Sequence, residues 1–251
     1  MNPSPWVTLF ANLPQARVRL FCFPYAGAGA SAYYRWSRDL APDVAVHAIQ
    51  LPGREGRLSE PLLSDAAEMV RGIVSAIEPL LDKPYAFFGH SMGAVLAFEA
   101  ARQLRTRPPL RLFVSGREAP HIEHPGTPLH LLPDPEFLAE TVRRYDGIPP
   151  VILAEPDLVR LFLPILRADL KAIETYRYVG GPKLSCGITA LHGMEDRGKP
   201  EEIRAWITHT EADFDYLEIA GGHFFIQTAR EQVLDVIRRS CSTAPNARRV
   251  T

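Results

Sequence analysis

The chain has 251 residues, 46% hydrophobic and 23% charged, and carries a formal net charge of -1. This length suits one large domain with a substantial core, and a near-neutral balance without a dense basic block argues against nucleic acid as a partner. No apolar run approaches the ~18 residues of a membrane span, and the opening Met1-Asn2-Pro3-Ser4-Pro5-Trp6 lacks the basic and apolar regions of a secretion signal, so a cytoplasmic protein is expected.

Short apolar, β-rich runs occur at Val18 to Phe23, Val44 to Ile49, Tyr85 to Phe88, Leu112 to Ser115, Ile188 to Leu191 and Tyr216 to Ile219. All six read as interior strands. Helical periodicity falls between or after them, at Ser31 to Leu40, Ser64 to Leu81, Met92 to Leu104, Glu201 to Thr208 and Gln227 to Ser240. Alternation of this kind predicts an α/β fold, a mainly parallel sheet with helices on both faces and functional groups at the carboxyl ends of its strands. The rhythm breaks over about 118–178, which holds no strand but two helical patterns, Pro135 to Tyr145 and Pro156 to Tyr176. Prolines throughout this stretch, Pro164 among them, favour bends over one long helix. The expected architecture is a single domain, 1–251, with this helical insertion as a lid over the active edge, or else as an ordinary subdomain contributing core.

Cys22, Cys186 and Cys241 are odd in number and far apart, which suggests neither a disulfide framework nor a paired-thiolate site. Cys22 and Cys186 lie in apolar runs and read as small core residues. The tail from Ser242 to Arg249 reads as frayed.

The strongest local signal is Gly89-His90-Ser91-Met92-Gly93, set between the strand Tyr85 to Phe88 and the helix that starts at Met92. With Gly and Ser at about 7% each, Gly-x-Ser-x-Gly arises by accident in roughly one chain of this length in ten, so the strand-to-helix context carries the argument. A sharp turn there lifts a serine Oγ above the sheet, and flanking glycines relieve the crowding a Cβ would cause. Ser91 is therefore the candidate nucleophile. It needs a base to take its proton and an acid to orient that base, in chain order Ser, acid, His. His223, in Gly221-Gly222-His223-Phe224-Phe225 after the last strand, is the candidate base. The acid is expected after the preceding strand, where His192-Gly193-Met194-Glu195-Asp196 offers two carboxylates. Asp196 is chosen, with Glu195 as an adjacent rival and Glu118, after an earlier strand, as another.

A tetrahedral oxyanion needs two preorganised donors. The amide of Met92 is one, and the loop Pro24-Tyr25-Ala26-Gly27-Ala28-Gly29-Ala30 supplies the other, assigned to Ala26. Gly27-x-Gly29 lacks the third glycine of a dinucleotide loop and the Gly-Lys-Ser/Thr of a P-loop, so no nucleotide cofactor is expected. His121, His124 and His130 are spaced loosely enough to raise the question of a metal, but prolines interrupt them and no cysteine joins them, so none is expected. His90 reads as packing for the elbow.

These residues resemble a family: the type II thioesterases that accompany polyketide and nonribosomal peptide synthases, related to medium-chain fatty-acid synthase thioesterases. The resemblance runs through Phe21-Cys22-Phe23-Pro24-Tyr25-Ala26-Gly27, Gln50-Leu51-Pro52-Gly53-Arg54-Glu55, Phe88-Gly89-His90-Ser91-Met92-Gly93, Ser115-Gly116-Arg117-Glu118-Ala119-Pro120, Leu132-Pro133-Asp134, Leu166-Arg167-Ala168-Asp169 and Gly221-Gly222-His223-Phe224-Phe225. It implies an α/β-hydrolase fold, the triad Ser91, Asp196 and His223, and a helical lid. It also implies a thioester substrate on the phosphopantetheine arm of an acyl or peptidyl carrier protein, with removal of stalled or misprimed chains as the task and no cofactor or metal of the enzyme's own. Two departures stand out: the family's glycine pair after Pro-Tyr-Ala is Gly27-Ala28-Gly29, and the apolar residues usual after the acid are Arg197-Gly198-Lys199. Leu138, Tyr145, Ile148, Leu161, Phe162 and Leu166 are candidates for an acyl pocket, with plain core as the other reading. Arg102, Arg105, Arg107 and Arg111 are candidates for docking an acidic carrier, with a solvated face as the alternative. A monomer is expected. Other uses of the same acyl-enzyme are an ester or lipid hydrolase and an acyltransferase, and a noncatalytic carrier-binding module is a more distant class.

Overall fold

The computed structural model describes residues 4–123, 127–145, 148 and 150–242. Its strands are β1 (Val7–Thr8), β2 (Val18–Phe23), β3 (Val44–Ile49), β4 (Tyr85–His90), β5 (Arg111–Ser115), β6 (Gly187–Gly193) and β7 (Phe214–Ile219). The helices are α1 (Tyr34–Asp39), α2 (Ala66–Ile77), α3 (Met92–Gln103), α4 (Asp134–Tyr145), α5 (Pro150–Ala154), α6 (Pro156–Thr175), α7 (Pro200–Arg204), α8 (Phe225–Thr228) and α9 (Arg230–Ser242). Tight 3₁₀ turns lead into α1 at Ala30–Tyr33, trail α2 at Glu78–Leu80 and follow α7 at Ala205–His209. No helix among the described residues is long and apolar enough to cross a membrane.

Among the described residues the strands form one seven-stranded sheet in the order β1-β3-β2-β4-β5-β6-β7, parallel except where β1 runs antiparallel to β3. Register pairs Phe23 with Gly89, His90 with Ser115, Ser115 with Leu191 and Gly193 with Ile219. The carboxyl ends of five neighbouring strands therefore finish along one edge. Backbone bonds continue past the strands, from Ser91 N to Ser115 O (2.8 Å), Gly116 N to Leu191 O (2.9 Å) and Met194 N to Ile219 O (2.8 Å), which holds the loops that follow in step.

Because side chains alternate across a strand, the apolar runs serve two cores at once. Phe21, Phe23, Phe87 and Val114 pack with Met69, Val70 and Ile73 of α2 and Val95 and Leu96 of α3. Leu20, Cys22, Phe88 and Phe113 pack on the other face with Trp36 of α1 and Val233, Leu234 and Ile237 of α9. Asp65 caps α2, its carboxylate accepting the Glu68 amide at 2.7 Å. All three cysteines are buried and free.

The structure differs from the sequence reading in several places. β7 is an edge strand, half open to solvent, whereas its apolar residues suggested an interior one. The two residues of β1 are too few to show a period. The helix expected over Glu201 to Thr208 is α7 plus a 3₁₀ turn, and the one over Gln227 to Ser240 is broken at Ala229 into α8 and α9. Between β5 and β6 the insertion holds α4 and α6 near the expected bounds, with α5 unanticipated. Pro164 lies inside α6 without ending it, because Leu163, Leu166, Leu170 and Ile173 bury that helix against the core and outweigh one lost backbone bond.

Candidate active site

β4 ends in a turn that only its own sequence permits. Ser91 adopts φ 53°, ψ -116°, in the left-handed half of backbone space that L-residues rarely enter. A Cβ on Gly89 would lie 2.1 Å from Gly93 O, and one on Gly93 would lie 2.3 Å from Phe23 O. Both glycines are therefore required for α3 to leave directly over the sheet. The result is a serine held at the carboxyl edge, facing a cavity.

His223 reaches the same cavity from the loop after β7, where Gly221 takes φ 110°. Its Nδ1 lies 2.9 Å from Asp196 Oδ2, and both side chains are about nine-tenths buried. A carboxylate accepts only, so the ring donates through Nδ1, which leaves Nε2 as the acceptor in the neutral tautomer. The other carboxylate oxygen, Asp196 Oδ1, accepts the Arg197 amide at 2.8 Å, so the Arg197-Gly198-Lys199 departure still supplies a backbone donor to the acid. Of the two rivals, Glu195 is exposed, while Glu118 lines the cavity and pairs with Arg117 at 3.3 Å. The carboxylate bonded to His223 is that of Asp196.

Two further rings hold His223 in place. Tyr145 of α4 packs against it at 5.2 Å between centroids, with its phenol pushed up in pKa by burial. His90 lies behind it at 4.9 Å, fully buried, with Nδ1 3.0 Å from Ser115 Oγ. Burial first, and the neighbouring His223 second, hold the His90 pKa well below the ordinary imidazole range, so His90 stays neutral. Gly116, at φ 58°, makes room for this pair: a Cβ there would lie 2.6 Å from His90 Cε1.

Ser91 and His223 sit where two spaces meet. One is a cavity of about 950 Å³, lined on its polar side by Arg117, Glu118, His121, Glu174 and Arg177. The other is an apolar recess of about 40 Å³ under the insertion. Of the six residues considered for an acyl pocket, Tyr145, Ile148, Phe162 and Leu166 line this recess. Leu138 instead packs into the core, and Leu161 is 49% exposed. Leu170, Ile173 and Phe224 line it as well and were not anticipated. Ala26 and Met92 border the recess beside Ser91, and their amides meet no acceptor among the described residues.

The remaining candidates lie elsewhere. Arg102, Arg107 and Arg111 are engaged by Glu99 (2.8 Å), Glu78 (3.4 Å) and Asp215 (3.0 Å). They cluster where α3 ends and β5 begins, the edge of the sheet opposite Ser91, which argues against the docking role considered for them and for Arg105. His121 Nδ1 lies 2.7 Å from His209 Nε2, His130 meets Glu174 at 2.6 Å, and His124 is outside the described residues. Among the described residues no group of three or more His, Cys, Asp or Glu side chains is placed to hold a metal.

Sequence reasoning missed the support beneath the loop after β2. There Asp169 of α6 accepts the Gly27 amide (2.8 Å) and both terminal nitrogens of Arg54, Nη2 at 2.8 Å. Both residues stand in the motifs quoted above, but nothing in their spacing says that they meet.

A serine on a strained strand-to-helix turn, at the carboxyl edge of a sheet in this order, places the molecule among the α/β-hydrolases. Comparison with known proteins narrows the class. The family model described as "Thioesterase domain" matches residues 18–241, and the chain belongs to that family. "Thioesterase PikA5" of Streptomyces venezuelae is 40% identical over 237 residues, 92% of this chain and 84% of that protein. "Linear gramicidin dehydrogenase LgrE" of Brevibacillus parabrevis is 39% identical over 244 residues, 94% of this chain and 92% of that one. Among solved structures, the type II thioesterase BorB from the borrelidin biosynthetic cluster superposes with a TM-score of 0.88 at 39% identity, covering 96% of this chain and 99% of BorB. The type II thioesterase family that the motifs resemble is thus the one the comparisons return, and the enzyme is a thioester hydrolase.

Proposed function

We propose that this thioesterase removes acyl groups from the phosphopantetheine arms of acyl or peptidyl carrier proteins, clearing stalled or misprimed chains from a polyketide or nonribosomal peptide synthase. The observation that carries the mechanism is the Asp196-bonded His223 opening onto the same cavity as Ser91. Ser91 Oγ attacks the thioester carbonyl while His223 Nε2 takes its proton, and the oxyanion is held by the amides of Ala26 and Met92. Collapse breaks the C–S bond, His223 returns the proton to the departing thiol, and an acyl ester remains on Ser91. Water attacks that ester with His223 again as base, the ester C–O bond breaks as His223 returns the proton to Ser91 Oγ, and the free acid leaves. The cycle uses only residues of this chain and water, with no cofactor beyond the arm on the partner.

In this reading the insertion is a lid, α4 and α6 walling the recess where the acyl group begins. Arg177 and Arg197 at the large cavity suit an acidic carrier bound on the Ser91 side of the sheet, in place of the arginines at the far edge. The working molecule is a cytoplasmic monomer that meets the carrier transiently.

The test is mass spectrometry of a panel of acyl carrier proteins before and after incubation with the enzyme. Acyl groups should disappear from the carriers, and not with Ser91→Ala. Cleavage of simple esters with every carrier left intact would overturn the assignment in favour of an ester hydrolase.

A further inference from the structure

The loop that carries Ala26 is a tight turn. Ala28 N donates to Tyr25 O at 3.0 Å, Gly27 takes φ 80°, and Ala26 is not among the residues with positive φ, which together define a type II turn over Tyr25 to Ala28. Its central peptide, between Ala26 and Gly27, can face either of two ways in a free turn. Here one way is enforced from the insertion. Phe162, Leu166 and Asp169 follow one another at helical spacing along one face of α6, and all three meet Gly27. A Cβ on Gly27 would lie 2.7 Å from the Phe162 ring and 3.3 Å from Leu166, so the helix lies flush against the turn. Asp169 Oδ2 accepts the Gly27 N–H, and a flipped peptide would instead turn the Ala26 carbonyl dipole against this carboxylate.

Arg54 completes the arrangement. Its guanidinium grips both Asp169 oxygens and donates through Nη1 to Ala28 O at 3.2 Å, bracketing the turn from its other end. Asp169 is 0% exposed and Arg54 2%. A buried ion pair gains little stability over an apolar pair of the same volume, so its value is to be sought in the geometry it enforces.

We propose that Asp169, locked by Arg54, is the positioning residue of the oxyanion loop: by holding the Gly27 N–H and, through Arg54, the Ala28 carbonyl, the lid helix fixes the turn whose Ala28 N–H grips Tyr25 O, and with it the Tyr25–Ala26 peptide that carries the Ala26 N–H to the reacting carbonyl. The proposal rests on the reading of Ala26 and Met92 as oxyanion donors. It gives the insertion a part in the chemical step in addition to covering the site.

Three ligands sharing one acyl chain separate the possibilities: a pantetheine thioester, which turns over; its amide isostere, which binds without reacting; and the matching trifluoromethyl ketone. Ser91 Oγ adds to the ketone carbonyl and His223 keeps the proton, which places an alkoxide in the hole. In Asp169→Asn, kcat should fall about tenfold to hundredfold, short of the 10²–10³ for outright loss of a donor. Affinity for the ketone should fall by the same factor as kcat/KM, while KM and the amide dissociation constant change by less than about twofold. Arg54→Lys, which keeps the charge and gives up the fork, should show the same split and carries the test if Asp169→Asn does not fold. Unchanged kcat and ketone affinity in a folded variant would overturn the proposal, as would equal losses for ketone and amide. If the wild-type enzyme itself shows no preference for the ketone over the amide, the oxyanion reading fails first and the proposal falls with it.

Discussion

The backbone of Ser91 makes a prediction about stability that is separate from its chemistry. At φ 53°, ψ -116° the serine Cβ is held in a region that costs a non-glycine residue about 1–3 kcal/mol, sustained here by α3 and the neighbouring strands. Ser91→Ala keeps the Cβ and the cost while removing the hydroxyl; Ser91→Gly removes both. Glycine returns about 0.5–1 kcal/mol through the greater freedom of its unfolded chain. The difference leaves Ser91→Gly more stable than Ser91→Ala by about 1 kcal/mol, or roughly 2–4 °C in Tm for a chain of this size. Calorimetry or circular-dichroism melts of the two variants in one buffer measure it. Hydrolysis should be lost in both, by about a millionfold in kcat for Ser91→Ala. A Ser91→Gly protein that melts at or below Ser91→Ala would show that the elbow stores no strain and would refute the reasoning.

Two further outcomes are expected. Asp196→Asn should lower kcat by about 10⁴-fold through loss of the correct His223 tautomer, whereas Glu195→Gln stays near wild type; steady-state rates on an acyl-pantetheine thioester with the two reversed would move the acid to Glu195. His47 and His209 are each brought down from 6.5 to about 4, chiefly by burial, so the unfolded chain takes up protons first as pH falls. Their contribution to stability is complete above pH 6.5 and is lost towards pH 4. Tm should drop across that window and His47→Gln should flatten the drop, while a Tm that holds or rises as the pH falls would contradict the burial of these rings.

What could be read from the sequence follows from what is local. β2 and β3 match their apolar runs to the residue because every position in β3 and every position but Arg19 in β2 is buried, on one face of the sheet or the other. Ser91 and His223 stand out as candidates because an elbow and a Gly-Gly-His loop are short-range patterns. Glu195 and Asp196 could not be separated, since adjacent carboxylates differ only in where the turn after β6 points them. The Arg54–Asp169 pair was out of reach for the opposite reason: its members lie far apart in the chain, and only the packing of α6 on the loop after β2 joins them. The same holds for Gly116, whose missing Cβ matters only because the His90 ring occupies the space. The edge position of β7 was hidden because Leu217 is apolar yet exposed beside Asp215, while Phe214 and Tyr216 are half-buried against the core.

The order of the strands also bears on when the enzyme becomes competent. β4 sits at the middle of the sheet and is threaded early in the chain, while β6 and β7, which bring Asp196 and His223, come last in sequence and stack outward in turn from β5. A ribosome-bound chain thus carries Ser91, the proposed nucleophile, long before it carries Asp196 and His223. In the proposed cycle, hydrolysis waits until the outermost strand has docked and carried His223 to Asp196.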